Sequence, residues 1–349
     1  MPHAALIADA RLLVVKVGSS LVAGGAPFSA DGLAADLAGR AGPSVLVSSG
    51  AVALARAVRP GLAQEGVAGQ QALSAIGQPR LMRLWESALG GQGLPSAQVL
   101  LTPDVTDDRA RYLNARAALR ALIDARVVPV INENDAVATD EIRYGDNDGL
   151  AARVAGLIGA DALVLLSDVD GLHTAPPGQP GAEPVPLVAA GSANAALAYA
   201  GEGGTGTGGM RSKVRAAGLA ASWGVPTLIA SGRTARPLSA LAEGARATLF
   251  EAEPQAPARR RWLAGTKTRA GAVAIDVGAA AALSQRASLL AVGVTEVLMP
   301  FRAGEVVEAR CEGHVVAFGL AACASDALAA GAAKIVLHRD DVVVERQDD

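Results

Sequence analysis

Residues Val127–Asp148 read VVPVINENDAVATDEIRYGDND. The stretch opens as a short apolar run, Val127–Ile131, of a length that suits one buried strand. It then turns abruptly polar: of the eighteen residues Ile131–Asp148, six are Asp or Glu and three are Asn. Charge at that density cannot be buried without partners. Directly after a buried strand it marks a long loop at the carboxyl edge of a sheet, where open α/β folds bind ligands. A solvated surface loop is the ordinary alternative for an acidic stretch. The alternation of amides with carboxylates, and the apolar interruption Ala136–Val137–Ala138, favour a loop that handles a ligand.

The same strand signal recurs on both sides of this segment. Leu12–Val17, Ser44–Ser48, Ala97–Leu101, Val127–Ile131, Ala162–Leu166 and Pro226–Ala230 are predicted strands. Helical spacing fills the intervals at Asp31–Arg40, Gly50–Val58, Gln71–Leu89, Asp107–Ala125, Asp148–Gly159 and Met210–Trp223. Asp107–Ala125 is the clearest: Tyr112, Leu113, Ala117, Leu119, Ala121 and Leu122 follow a helical repeat, and two Asp residues sit at the start, where the helix dipole favours them. Apolar strands alternating with helices predict a three-layer α/β/α fold around a mostly parallel sheet covered on both faces.

That pattern breaks after Phe250. Glu251–Ala258, EAEPQAPA, holds two prolines and no periodicity, and Arg259–Arg261 follow it. Short strand-like runs come next, at Ala272–Val277, Val306–Ala309, His314–Ala317, Lys334–Leu337 and Val342–Glu345, and predict a small, mostly β domain. The expected division is a domain at 1–252, a linker at 253–260 and a second domain at 261–349. The Pro-rich stretch Pro176–Pro186 reads as an excursion from the first domain.

A chain of 349 residues suits two domains, and 51% hydrophobic against 19% charged residues supplies a large core. A formal net charge of −3 and only 3% aromatics argue against a nucleic-acid surface built on phosphate neutralisation or base stacking. Asp9 and Arg11 interrupt the apolar N-terminal stretch, so no signal peptide is expected. No run of 18 apolar residues occurs, so no membrane span is expected, and a cytoplasmic location is. Cys311 and Cys323 match no zinc spacing and read as reduced thiols. His3, His173, His314 and His338 are scattered, which leaves no transition-metal site to expect.

Five segments carry candidate chemistry. Lys16-Val17-Gly18-Ser19-Ser20 places a cation and backbone donors at the end of the first strand. Ser48-Ser49-Gly50-Ala51 opens a helix whose free N–H groups suit an anion, although serine there is also an ordinary cap. The acidic loop supplies Asn132, Glu133, Asn134 and Asp135, then Gly145-Asp146-Asn147-Asp148. Ser167-Asp168-Val169-Asp170-Gly171-Leu172 follows a strand, either as simple turn chemistry or at a nucleotide's path. Finally, five of the seven residues Gly203–Gly209 are glycine, opening a helix that carries Lys213 one turn in. Gly204, Gly206 and Gly209 imitate a dinucleotide fingerprint, but no strand precedes them. Lys213 lacks the glycine of a P-loop, and His338-Arg339-Asp340 lacks the other protein-kinase signatures. Two lysines, several loop carboxylates and glycine-rich anion sites together point to metal-assisted phosphoryl transfer.

In order along the first domain, KVGSS (Lys16–Ser20), SSGAVA (Ser48–Ala53), LNAR (Leu113–Arg116), PVINENDAVAT (Pro129–Thr139), YGDNDGL (Tyr144–Leu150), LLSDVDGL (Leu165–Leu172) and GTGGMRSK (Gly206–Lys213) resemble the glutamate 5-kinase family of amino acid kinases. NENDAV, GDND and GTGGM together carry the specificity of the match; any one segment alone would indicate only the wider superfamily. The tail from about Arg261 resembles the PUA domain, a small β-barrel.

The resemblance implies ATP-dependent phosphorylation of the γ-carboxylate of L-glutamate to L-glutamyl 5-phosphate, the first step of proline biosynthesis. It also implies Mg²⁺ carried mainly by the ATP phosphates, a homo-oligomer, feedback inhibition by proline and functional coupling to glutamyl-phosphate reductase. By motif matching, Lys16, Lys213 and Asp148 resemble the catalytic residues, and Ser49, Gly50, Asn134, Asp135 and Asn147 the substrate-binding ones. Lys16, Ser167, Asp168, Thr207, Gly208, Gly209, Met210, Arg211, Ser212 and Lys213 resemble the ATP contacts. Ser167 and His173 stand where the family often has Thr and Tyr. The alternatives are another superfamily member, an acetylglutamate or aspartate kinase, or an RNA-binding regulator on a kinase fold. Against RNA binding, Arg259–Asp349 balances 11 Lys and Arg with 11 Asp and Glu.

Overall fold

The structure, a computed structural model, describes residues 2–24, 27–64, 66–102, 105, 109–137, 146–176, 179–200, 209–252, 269–285 and 287–344. These fall into two compact units, one ending with residue 252 and one beginning with residue 269. The linker expected at 253–260 and the first residues of the second domain lie outside the described residues. No helix among the described residues is long and apolar enough to cross a membrane.

The strands of the first unit are β1 (Leu13–Val17), β2 (Ser44–Ser48), β3 (Ser96–Leu101), β4 (Val128–Glu133), β5 (Ala162–Ser167), β6 (Leu187–Val188), β7 (Thr227–Ser231) and β8 (Ala247–Phe250). Its helices are α1 (Pro2–Asp9), α2 (Ser19–Val22), α3 (Ala30–Ala38), α4 (Ala51–Arg56) and α5 (Gly66–Gly90). They continue with α6 (Arg109–Asp124), α7 (Asn147–Ile158), α8 (Ala193–Ala196), α9 (Met210–Ser222) and α10 (Pro237–Ala242). One eight-stranded sheet takes the order β3-β4-β2-β1-β5-β7-β8-β6. Every pairing from β3 to β7 is parallel; β8 runs antiparallel to β7, and β6 lies parallel to β8.

Alternation along β1 assigns its two faces. Leu13, Val15 and Val17 join a core with Leu33 and Leu37 of α3, Leu81, Trp85 and Leu89 of α5, and Leu238 and Leu241 of α10. The intervening Val14 and Lys16 take the opposite face by the two-residue period of a strand, where α7 packs on β1 and β5. All twelve residues of α7 are buried. Its neighbour α9 lies so close that a Cβ on Gly156 would overlap the indole of Trp223. On the other face, Gly77 of α5 is equally tight against the backbone of Ala51 in α4.

The six predicted strands are β1, β2, β3, β4, β5 and β7, with ends shifted by no more than two residues. The helix expected at Asp107–Ala125 is described from Arg109 to Asp124. The sequence reading does not include α1, α2, β6, α8, β8 or α10. Each is short, and β6 and β8 add the antiparallel edge to an otherwise parallel sheet.

The second unit holds one six-stranded sheet, a curled half-barrel, in the order β10-β14-β13-β12-β9-β11. Its strands are β9 (Gly271–Ile275), β10 (Leu289–Leu290), β11 (Val294–Met299), β12 (Val306–Cys311), β13 (His314–Ala321) and β14 (Ile335–Val344). Val273, Leu283, Phe301, Val307, Ala317, Val336 and Leu337 form part of its core. One expectation is corrected here: the strands expected at Lys334–Leu337 and Val342–Glu345 are not separate, since Ile335–Leu337 and Val342–Val344 are the two ends of β14 and Glu345 lies outside the described residues. The polar tetrad His338–Asp341 looks like a turn by composition. It is absorbed instead as a register irregularity opposite Gly319–Ala321 of β13.

Candidate active site

Lys16, Asp148 and Lys213 meet at the carboxyl edge of the central strands. Lys16 comes from β1, between β2 and β5. Asp148 lies in the first turn of α7, whose N-terminus Asp146 caps by accepting a hydrogen bond from Gly149 N at 3.0 Å. Lys213 lies in the first turn of α9. Lys16 Nζ is 2.6 Å from Asp148 Oδ1, and Lys213 Nζ is 3.1 Å from Asp148 Oδ2. The three residues are 5%, 4% and 1% exposed for Lys16, Lys213 and Asp148.

Burial alone would push the Asp148 carboxyl up, but the two lysines outweigh it and hold the group below its ordinary range. For Lys213 the balance runs the other way. Burial, with a smaller contribution from the charge of Lys16, lowers its pKa despite the pull of Asp148. Within the contact cluster two cations face one anion, with Asp168 adding a weaker pull on Lys213, and the paired ammonium groups favour an incoming anion.

The polar residues that flank the acidic loop lie at and just after the end of β4 and at the start of α7. Asn132, Asp135 and Asn147 are buried, and each keeps one oxygen, Oδ1, without a hydrogen-bond partner. A buried acceptor of this kind can take a donor from a ligand or from water. Burial raises the Asp135 pKa, and a hydrogen bond from Ser74 lowers it in part. Asn134 is half-buried, with its backbone N donating to Leu101 O at 2.8 Å. The rest of the loop, residues 138–145, lies outside the described residues.

At the end of β2, Trp85 Nε1 donates to Ser48 Oγ at 2.8 Å, tying α5 to the strand. The next residue, Ser49, is buried and donates its backbone N to Val17 O. Gly50 has φ +116°, and a Cβ there would press on the side chain of Val22. The left-handed turn and the crowding both demand glycine.

The expected nucleotide residues divide. Ser167 is buried and donates Oγ to Asp168 Oδ1 at 2.9 Å, while Asp168 is exposed. Gly209 precedes α9 without a side-chain cap, Met210 is half-buried and Arg211 is exposed. Thr207 and Gly208 lie outside the described residues. Ser212 does more than border a nucleotide loop. Its Oγ lies 3.0 Å from Asp148 Oδ2 and 3.2 Å from Asp146 Oδ1, one hydroxyl proton serving either carboxylate, and so stitches α9 to α7. His338–Asp340, the kinase-like triplet, lies within β14 of the second unit.

Sequence reasoning missed Ser74 and Gln78 of α5. Ser74 Oγ donates to Asp135 Oδ2 at 3.0 Å, and Gln78 Nε2 to Glu133 O at 3.4 Å. Gln98 Nε2 of β3 in turn donates to Gln78 Oε1 at 3.2 Å. The available signal was two polar residues at i, i+4 spacing on a helix face otherwise lined by Gly69, Leu73, Gly77, Leu81 and Trp85.

Comparison with known proteins agrees with this architecture. The Amino acid kinase family matches residues 11–231, and the PUA domain matches residues 271–343. A protein named glutamate 5-kinase from Rhodopseudomonas palustris (strain BisB5) is 44% identical over 368 residues, covering 96% of this chain and 97% of its own. Another of that name, from Caulobacter vibrioides (strain NA1000 / CB15N), is 48% identical over 332 residues, covering 89% of this chain and 86% of its own. Among solved structures, a carbamate kinase from Giardia lamblia bound to AMP-PNP shares the fold at 17% identity, with a TM-score of 0.51. It matches 70% of this chain and 100% of its own. Together with the strand-edge cluster of Lys16, Asp148 and Lys213, these matches establish that the chain belongs to the amino acid kinase family, in its glutamate 5-kinase branch with a PUA domain.

Proposed function

We propose that the chain transfers the γ-phosphoryl group of ATP to the γ-carboxylate of L-glutamate, giving L-glutamyl 5-phosphate and ADP. The observation that carries this reading is the buried Lys16–Asp148–Lys213 cluster, with its excess of one positive charge at the sheet edge. A glutamate side-chain carboxyl has a pKa of about 4.3, so the nucleophile is already ionised at neutral pH and needs no general base. The difficulty is bringing an anion up to a polyanion. Lys16 and Lys213 offset the charge spread over the phosphoryl oxygens while a carboxylate oxygen attacks phosphorus and the bond to ADP breaks. Asp148 fixes both ammonium groups in advance, so little reorganisation accompanies the step.

The acceptor end follows the same logic. An α-ammonium offers three N–H donors, and Asp135, Asn132 and Asn147 each carry a buried acceptor oxygen without a partner. Asp135 adds a charge of the right sign. Ser49 and Gly50 offer the start of α4 to the rest of the amino acid, and Asn134 borders the same pocket. Ser167, Asp168 and the segment Thr207–Lys213 belong to the nucleotide side.

Mg²⁺ enters this reading as the companion of the ATP phosphates, whose charge it reduces. Among the described residues no group of three or more His, Cys, Asp or Glu side chains is placed to hold a metal ion, and Asp148 is already engaged by lysines. Feedback inhibition by proline, assembly into a homo-oligomer and delivery of the labile product to a glutamyl-phosphate reductase belong to the same reading. So does a cytoplasmic setting, which suits the free thiols Cys311 and Cys323.

The test is ADP release with glutamate, aspartate and N-acetylglutamate as acceptors. Turnover with glutamate alone is expected. N-acetylglutamate has no ammonium for Asp135, and aspartate is one methylene too short to reach from that anchor to the lysines. Turnover with N-acetylglutamate in preference to glutamate would overturn the assignment.

A further inference from the structure

Ser74 lies in the middle of α5, 1% exposed. A serine inside a helix ordinarily turns its hydroxyl to water or back to the carbonyl one turn earlier. Ser74 does neither. Its Oγ donates to Asp135 Oδ2 at 3.0 Å, across 61 residues of sequence. The other carboxylate oxygen, Oδ1, is buried and has no partner. One oxygen of Asp135 is therefore held while the other stays open.

The depth of the hydroxyl is fixed by the packing of the helix around it. Gly77 brings α5 against the backbone of Ala51, where any side chain would collide. Trp85 anchors the same helix to Ser48 at the end of β2, and Gln78 to the backbone of Glu133. Three attachments on one face hold Ser74 opposite the turn at Asp135–Val137.

We propose that Ser74 is a positioning residue for acceptor recognition: it orients the Asp135 carboxylate so that Oδ1 meets the ammonium of the amino-acid substrate. This rests on the reading of Asp135 as the ammonium partner. Burial disfavours the charge that Asp135 needs for this task, and the Ser74 hydroxyl offsets part of that penalty. Without the hydroxyl, the carboxylate keeps its place in the chain but loses both its orientation and a charge-stabilising donor. Ser74 touches neither the phosphoryl group nor the lysines, so the effect should fall on acceptor affinity and leave the chemical step alone.

Steady-state kinetics of five full-length proteins test this: the unsubstituted chain, Ser74→Ala, Asp135→Ala, the double variant and Ser74→Cys. A hydrogen bond to a charged group supports a rise in KM for glutamate on the order of tenfold in Ser74→Ala. The kcat and the KM for ATP should stay within about twofold of the unsubstituted values, on the same grounds. In the Asp135→Ala background, Ser74→Ala should add nothing, because the group through which it acts is gone. Ser74→Cys, which keeps a weak donor in nearly the same volume, should fall between serine and alanine and guards against a folding defect in either variant.

An unchanged KM for glutamate in Ser74→Ala would overturn the proposal. So would equal losses in kcat and both KM values, or effects that multiply in the double variant, since a general packing role predicts these. An unsubstituted chain that phosphorylates a different acceptor would instead remove the reading on which the proposal stands, and the first measurement detects it.

Discussion

Gly156 and Trp223 occupy one another's space: the indole ring at the end of α9 fills the position that a side chain on α7 would take. The relationship is remote from the reacting groups but decides where they sit. Asp148 and Lys213 lie in the first turns of these same two helices, and the helices run alongside each other to the Gly156–Trp223 contact.

Gly156→Ala should therefore act at a distance. Overpacking a tight helix contact costs about 1–3 kcal/mol, and the melting temperature should fall accordingly. If α7 shifts to make room, the 3.1 Å contact between Asp148 and Lys213 lengthens and kcat falls as well. Thermal unfolding and kcat measured on one preparation check both parts.

Lys16→Ala and Lys213→Ala should each lower kcat by about 10² or more, the scale for removing one preorganised electrostatic group. Lys213 should also leave a mark on the pH profile. Burial lowers the Lys213 pKa from its ordinary 10.5, so the free enzyme loses this charge earlier as pH rises. The alkaline limb of kcat/KM should lie below that of an ordinary lysine. Lys213→Arg should move the limb upward, even if its plateau is lower, because a guanidinium keeps its proton. A limb unmoved by Arg would assign it to another group.

Asp135→Asn should trade affinity for stability. Burial raises the folded-state pKa of Asp135 above its ordinary 3.8. Stability linked to its proton is thus fully present below the unfolded value and is lost as pH rises through the folded value. At pH 7 the folded chain carries the cost of the ionised group, and the amide removes it. The variant should melt higher than the unsubstituted chain at neutral pH, with the gap closing in acid. Its KM for glutamate should rise far more than its KM for ATP, which steady-state kinetics would read directly.

A chain ending after Ala252 should fold and retain glutamate-dependent ATP turnover. Lys16, Asp135, Asp148 and Lys213 all belong to the first unit, in which Phe250 is the last buried apolar residue among the described ones. Circular dichroism and kinetics decide this together. A folded but inactive product would mean that the second unit supplies something the chemistry needs.

The sequence showed most where one residue type had one reason to be present. Apolar runs such as Ala162–Leu166 are buried at every position and could hardly be anything but central strands. Lys16 was visible as a charge at the end of such a run, and GDND and GTGGMRSK marked two helix starts. What stayed hidden was pairing across long stretches of chain. Nothing in the spacing of Ser74 or Ser212 says that each donates to a carboxylate more than 60 residues away. The strands β6 and β8 were too short to announce themselves, with two and four residues. In β14, four polar residues gave the composition of a turn while the backbone continued as strand, because a bulge tolerates side chains that a regular ladder on a core would not.

The place of β1 in the sheet has a consequence for how the chain acquires its structure. It precedes every other strand of this sheet in the chain, yet it lies between β2 and β5. Its second neighbour begins at Ala162, nearly 150 residues later. Until that partner is synthesised, one edge of a strand that is apolar except for Lys16 stays open, and Lys16 has no Asp148 to meet. Long-range parallel pairing of this kind is slow and exposes sticky edges while it waits. A nascent chain released before residue 213 could not assemble the three-charge cluster at all, and the core that holds β1 also needs α10 and β8, so activity should emerge only late in synthesis.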